Sequence, residues 1–534
     1  MDKKDTQVHH IEEVEKGIDD ARLLSTIEDA TRQMQAEHEM TLWQGIKEYK
    51  GALWWSFVIS LCVVMDGYDN TLMGSFFAFP QFNEHYGELV NGEWVISASW
   101  QTALSALSGV GSIIGILVSG QLTERFGHRK VILGALAFIC GAIFAYFFAP
   151  SKGVLVVGVI LTGMPIGIFS TIAPTYASEV CPVVLRGYMT TYINACWAIG
   201  QLISQGVLRG CLNIDSQWSY RIPFAIQWAW PVPIAVLVLF APDSPWWLVR
   251  KERLDKATKM IRRLSRQTEE EAARTVAMMV HTNELEKKVQ EGATYLDCFK
   301  GTDLRRTEIS SIVFLIQAVS MGNTMSYSSY FFQMAGLPPD QSFNMSIGQY
   351  CMGIVGIICS WFLMTHVGRR RIYVCGLFSI AILFLIMGFV SLAPESNSGA
   401  SWATAALLLI IVFAYDMTLG PVCYSLISEM SSTRLRAKTI SIARNTFNVW
   451  SIVNGIIYPY IMNNTAGNWR GKVGFFQFGL CTVCFTWAFF RLPEPKGRTY
   501  EELDLMFLKR LPARKFKGYV VNLEEDEGEL EIVH

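Results

Sequence analysis

Charge is what this sequence has least of. Lys, Arg, Asp and Glu make up 17 % of its 534 residues, and 51 % are hydrophobic. A soluble domain carries about 25 % charged residues, so lipid is expected as the main solvent. The apolar segments are too many and too long to form the cores of two or three soluble domains. Neither sign of charge is in excess, the formal net charge being -1, which excludes nucleic acid or any other partner recognised by bulk charge. A secretory leader is not expected: residues 1–50 are polar and mixed in charge, and the first apolar run, from near Gly51, is long enough to span. A disulfide or metal framework is missing too. Of the twelve cysteines, Cys62, Cys140, Cys196, Cys351, Cys359, Cys375 and Cys423 lie inside apolar runs, and Cys481 and Cys484 form a CxxC inside the last one. Zinc and redox sites need polar, accessible surroundings. Cys211 alone is expected outside the membrane, with no obvious partner. No nucleotide loop, metal triad or nucleophile constellation occurs, and Gly109-Val-Gly111 lies inside an apolar run. Neither an enzyme nor a cofactor is expected.

What the sequence has is apolar runs of bilayer length. Crossing the hydrocarbon core takes about 20 such residues, and twelve spans are expected, at 52–79, 97–119, 130–149, 153–174, 187–209, 223–241, 308–334, 343–365, 371–393, 402–427, 437–462 and 472–491. The fold class is an all-α membrane protein: a tail (1–50), a six-helix bundle (51–241), a helical linker (242–307), a second six-helix bundle (308–491) and a second tail (492–534). Loop charge sets orientation. Arg125, Arg129, Lys130, Arg186, Arg369, Arg370, Arg371, Arg434, Arg436 and Lys438 all fall on the side of the linker, while the first opposite loop, 80–96, has Glu84, Glu88 and Glu93 and neither Lys nor Arg. Both tails and the linker are therefore expected in the cytoplasm. On the outer side Asn463-Asn464-Thr465 is a candidate glycosylation triplet.

The two sets of six echo each other. Gly120-Gln-Leu-Thr-Glu-Arg-Phe-Gly-His-Arg-Lys130 follows the second span and Val367-Gly-Arg-Arg-Arg371 the eighth. Ser178-Glu179 with Leu185-Arg186 follows the fourth, and Ser428-Glu429 with Leu435-Arg436 the tenth. Matching motifs at equivalent points imply a parallel duplication around a midplane cavity, the layout of an alternating-access carrier.

These residues, with Pro174-Thr-Tyr-Ala-Ser-Glu-Val-Cys-Pro182, Pro242-Asp-Ser-Pro-Trp-Trp-Leu248 and Pro493-Glu-Pro-Lys-Gly-Arg-Thr499, resemble the sugar porter branch of the major facilitator superfamily over roughly 45–515. Met65-Asp-Gly-Tyr-Asp69, Phe79-Pro-Gln-Phe82, Ser99-Trp-Gln101, Pro223-Phe-Ala-Ile-Gln-Trp228, Ala443-Arg-Asn445, Gly474-Phe-Phe476 and Leu503-Asp-Leu-Met-Phe507 are similar to the fungal α-glucoside permeases, the maltose-type proton symporters. The resemblance implies a multi-pass plasma-membrane transporter, working as a monomer, whose partners are a sugar, protons and the lipid bilayer.

Four groups are expected to couple protons. Asp66 and Asp69 sit three apart on one face of the first span, Asp416 lies inside the tenth, and Arg444 two turns into the eleventh. An ionisable side chain at that depth is expensive and ordinarily faces a wet cavity. Departures from the family pattern are Val159, where many proton-coupled sugar porters have arginine, and Ser112, where α-glucoside permeases have glutamate. Arg444 is expected to tune or pair with Asp66 and Asp69, and with its usual partner gone Asp416 is a second candidate to stand opposite it. Sugar recognition needs amides, hydroxyls and aromatic faces. The candidates are Asn194 and Gln201, seven apart on one face, with Gln317, Asn323, Tyr327, Tyr424, Tyr68, Gln101 and Asn448. Ile316 and Tyr424 stand where the resemblance implies glutamine and tryptophan, which makes room for a disaccharide. Glu124, Arg125, Glu179, Arg186, Arg369, Glu429 and Arg436 are expected to close the cytoplasmic side by pairing across the two halves. Other sugars, polyols or secondary metabolites are alternative cargoes. A non-transporting sugar sensor is disfavoured by the short tail ending in Glu524-Glu-Asp-Glu527.

Overall fold

The computed structural model describes residues 41–519, apart from 91, 291–293, 322–323, 395–396, 433–434, 464–465, 497 and 499. Spanning helices are labelled α1 to α12, and shorter ones are named by their residues. The first six are α1 (Lys50–Phe76), α2 (Ala98–Phe126), α3 (His128–Phe147), α4 (Lys152–Val180), α5 (Val183–Cys211) and α6 (Trp218–Leu239). The second six are α7 (Gly301–Met321, resumed as Ser328–Met334), α8 (Pro339–His366), α9 (Arg369–Val390), α10 (Ser398–Met430), α11 (Arg436–Met462) and α12 (Val473–Arg491). Most run a few residues beyond the apolar windows, because a helix continues through polar residues until a glycine, a proline or a turn stops it.

Among the described residues, nine of these helices are apolar enough to cross a membrane by length and composition. The exceptions are α5, α7 and α11. They carry Asn194, Gln201 and Gln205; Gln317; and Arg444, Asn448 and Asn454. A helix that turns a polar face to the protein interior loses mean hydropathy without leaving the bilayer.

Packing repeats between the halves. Helix α2 packs on α4 as α8 does on α10, α1 on α5 as α7 on α11, and α3 on α6 as α9 on α12. The halves meet where α2 packs on α11 and α5 on α8. The α2–α4 seam is closed by two GxxxG runs, Gly111-Ser-Ile-Ile-Gly115 and Gly163-Met-Pro-Ile-Gly167. A Cβ on Gly115 would lie 2.0 Å from the Met164 carbonyl oxygen, and one on Gly167 2.2 Å from that of Ser112. Close approach of this kind drives helix association where lipid is as apolar as the side chains. Gly115→Leu is therefore expected to cost about 3 kcal/mol or more through overpacking against backbone. It should lower the thermal midpoint of purified protein, whereas Gly134→Leu, where a Cβ meets nothing within 4 Å, should leave that midpoint in place.

The two faces differ. One carries an antiparallel hairpin, β1 (Glu88–Val90) with β2 (Glu93–Val95), tied to α4 by Lys152–Glu88 at 2.8 Å. The other carries the linker helices Pro245–Arg250, Leu254–Leu264 and Glu269–Gln290. These dock beneath the first half, where Gln267 donates to the Tyr49 hydroxyl at 3.0 Å and Trp247 Nε1 to the Glu124 carbonyl at 2.9 Å. The glycosylation candidate Asn463 is fully buried, and its Nδ2 donates to the Ile96 carbonyl at 2.9 Å. That amide is closed to a glycan in this conformation.

Candidate functional site

The side-chain bonds described between the halves lie toward the hairpin face. Arg209 meets Asp340 at 2.8 Å and Asn344 at 3.0 Å, Ser329 donates to Gln205 at 2.9 Å, and Ser326 to Asn70 at 3.0 Å. Gln333 donates to the Ala78 carbonyl at 2.7 Å, and Ser105 bonds to Tyr327. Two expected sugar contacts belong to this closure. Tyr327 is 4 % exposed and packs on Phe77, while Gln101 donates to the Ile96 carbonyl at 3.1 Å.

Below the closure, inner helices bring polar groups together at mid-depth. From α1, Asp66 is nearly buried, with the Trp197 indole in hydrogen-bonding reach and Arg444 of α11 and Asp69 acting on it electrostatically. Asp69 accepts from Gln227 Nε2 at 2.8 Å. Gln227 sits in the 3-10 turn Gln227–Ala229 that interrupts α6. A glutamine followed by Pro231 and Pro233 inside an apolar span was the available signal for it. From α5, Asn194, Trp197 and Gln201 share one face, Trp197 being the aromatic partner that sequence reasoning missed. Counted from Leu185-Arg186 and Leu435-Arg436, Asn194 and Arg444 occupy the same position of the repeat. The two halves thus present an amide and a guanidinium from equivalent points.

From the second half, the Arg444 guanidinium lies over the Phe447 and Phe314 rings, 5.1 and 5.5 Å from their centroids. Tyr424 stands edge-on to Phe314 at 5.6 Å, its hydroxyl within reach of Gln317 and Arg444. The residue is 40 % exposed, beside Phe314, Gln317 and Arg444 of the inner helices. Several amides here are buried without a hydrogen-bond partner among the described residues: both polar atoms of Gln201, the Oε1 of Gln317 and the Nδ2 of Asn448. On α8, Gln349 is orphaned in the same way and carried no sequence signal. Native proteins leave few buried polar atoms unpaired, and each asks for an explanation.

Other sequence candidates sit elsewhere. Tyr68 is fully buried and donates to the Pro223 carbonyl at 2.8 Å, so its hydroxyl pins α1 to α6. Asp416 packs in the α8–α10 seam, where a Cβ on Gly353 would lie 2.7 Å from its Oδ2. That oxygen has no hydrogen-bond partner among the described residues. Arg444 is among the groups acting on Asp66 and not among those acting on Asp416. Through the repeat, Asp416 falls at the position of Ile166, a seam residue in the first half. Asn323 and the side chains of Arg186 and Arg436 lie outside the described residues.

None of the described gate charges pairs across the halves as expected: Glu179 is held by the linker and Glu429 by Arg369 of its own half. Glu179 meets Arg250 at 2.7 Å, accepts from Ser244 and lies 3.7 Å from His128 Nε2, while Arg369 meets Glu429 at 3.3 Å. Glu124 and Arg125 are exposed. With the halves joined at the hairpin face, the linker-side ends of the helices take their partners locally.

A family model described as "Sugar (and other) transporter" matches residues 55–507. This chain belongs to the sugar transporter family. It is 39 % identical to a maltose permease of Saccharomyces cerevisiae, over 96 % of this chain and 84 % of the permease. It is 38 % identical to an α-glucosides permease of the same yeast, over 94 % and 84 %. The xylose transporter XylE from E. coli, in a partially occluded inward-open conformation, has the same fold: TM-score 0.69 at 20 % identity, covering 84 % of this chain and 100 % of XylE. The protein is a multi-pass membrane transporter of the major facilitator fold, not an enzyme.

Proposed function

We propose that this transporter imports an α-glucoside or related oligosaccharide, of the maltose, sucrose or trehalose class, together with protons, by alternating access. The observation that carries this reading is the set of unpaired amide atoms, both of Gln201, the Oε1 of Gln317 and the Nδ2 of Asn448, on inner helices that also carry Trp197 and Tyr424. Sugar hydroxyls satisfy such amides, and a ring's C–H surface stacks on the aromatics. The names of the yeast relatives support the substrate class. Asp66, Asp69 and Arg444 form the coupling group, beside the sugar and between the halves. The linker face is assigned to the cytoplasm on loop charge, which places both tails inside a plasma membrane. The hairpin-face closure then makes this the inward-facing state. In the outward-facing state the cytoplasmic ends come together, and Glu179 and Glu429 are the acids available to basic groups of the opposite half.

Uptake of labelled maltose, sucrose, trehalose and glucose into a transporter-null yeast tests the reading. We expect at least one disaccharide to accumulate above its outside concentration, faster at low external pH, with accumulation abolished by an uncoupler. Uptake that merely equilibrates the sugar and ignores the uncoupler would refute symport.

A further inference from the structure

On the linker face, away from the sugar path, a cavity of 310 Å³ opens between the start of α7, the end of α12 and the segment after α12. Arg305, Arg491 and Arg510 line it with Gly301, Thr302 and Phe507, and no carboxylate is among the lining residues. Glu308 meets Arg491 and accepts from Trp487 Nε1 at 3.2 Å, and it also acts on Arg305, so this one acid is shared between two of the three guanidinium groups. Arg305 donates one N–H to the Leu511 carbonyl at 2.8 Å, and its Nε is buried without a partner among the described residues. Arg491 opposes its charge from across the cavity. Arg510 makes no side-chain bond to the described residues. Three guanidinium groups around one cavity, with no carboxylate among its lining residues, form a site for an anion that accepts several hydrogen bonds at once. Gly301 and Thr302, the first residues of α7, line the same opening, and a helix start favours an anion.

We propose that this cavity binds a phosphate-bearing anion, either the phosphorylated headgroup of a lipid or a phosphate compound free in solution. Guanidinium groups match phosphate oxygens in geometry as well as charge. The volume lies at the lower end of ligand pockets, roughly 300–1,000 Å³, and admits a phosphorylated headgroup. Basic pockets at helix ends on a membrane face are suited to headgroups. The cavity stands one turn from Phe489 and Phe490, two exposed aromatics on α12 over which Arg514 lies at 4.5 and 4.9 Å. A bound anion would tie the segment after α12 to the start of α7.

Binding is measured on purified full-length protein by native mass spectrometry and by the rise in thermal midpoint. One arm uses phosphatidylcholine nanodiscs containing phosphatidylinositol phosphate. The other uses phosphatidylcholine nanodiscs alone with soluble inositol phosphate added. Retention in the first arm only assigns the site to a lipid, and saturable binding in the second assigns it to a free compound. Arg510→Gln is expected to weaken binding by about tenfold or more, as the loss of one hydrogen bond to a charged group does. It removes no side-chain bond to the described residues, so the protein should stay folded. Arg305→Gln should act in the same direction, and Arg514→Gln, outside the lining, should bind as wild type does. Binding in neither arm, or an equal loss with Arg514→Gln and Arg510→Gln, overturns the proposal.

Discussion

Protein carrying Asp69→Asn is expected to move sugar down its gradient and to exchange it, yet never to accumulate it. Gln227 holds Asp69 through a neutral amide at 2.8 Å. An amide side chain has both a donor and an acceptor, so it can stay bonded to a charged carboxylate, to a protonated one, or to asparagine. The substitution should therefore leave the fold and the sugar contacts in place and remove only the site that changes protonation. A carrier whose two states no longer differ in proton affinity cannot be biased by a proton gradient. The inside-to-outside ratio of labelled disaccharide should fall to unity, while counterflow in proteoliposomes runs near the wild-type rate. Accumulation at the wild-type level would remove Asp69 from the coupling group. Loss of counterflow as well would make the residue a structural one.

The other large effect concerns Arg444. In Arg444→Gln, Asp66 stays nearly buried while losing the one cation that acts on it. Removing a nearby opposite charge from a buried carboxylate typically costs about 1–3 kcal/mol, equivalent to roughly 5–150-fold. The release of Arg444 from two aromatic rings adds to that loss. Counterflow is expected to drop by about 10–100-fold. Adding Asp66→Asn removes the stranded charge and should restore at least about tenfold of the loss, still without accumulation. Adding Asp416→Asn should restore nothing, because Asp416 lies against Gly353 and Gly356 in the α8–α10 seam. Rescue by Asp416→Asn in place of Asp66→Asn would reverse the assignment.

By itself the sequence determined the twelve-helix membrane fold, the motifs that recur in its two sets of six spans, and the resemblance to sugar carriers. Each of these depends on composition and on motifs fixed along the chain. It also marked the polar residues of α5, α7 and α11, because a polar residue in an apolar span is conspicuous wherever it points. Periodicity says which residues share a face and is silent on what that face meets. Only tertiary structure decided that Asp66 lies opposite Arg444 while Asp416 is shut in a helix seam. The same holds for the Tyr68 hydroxyl on Pro223, the Asn463 amide on Ile96, Glu179 pairing with Arg250 of the linker, and Glu429 with Arg369 of its own half. The cost of burying a polar group compels it to find a partner, but which partner it finds depends on residues far away in the chain, and on which face of the molecule is closed.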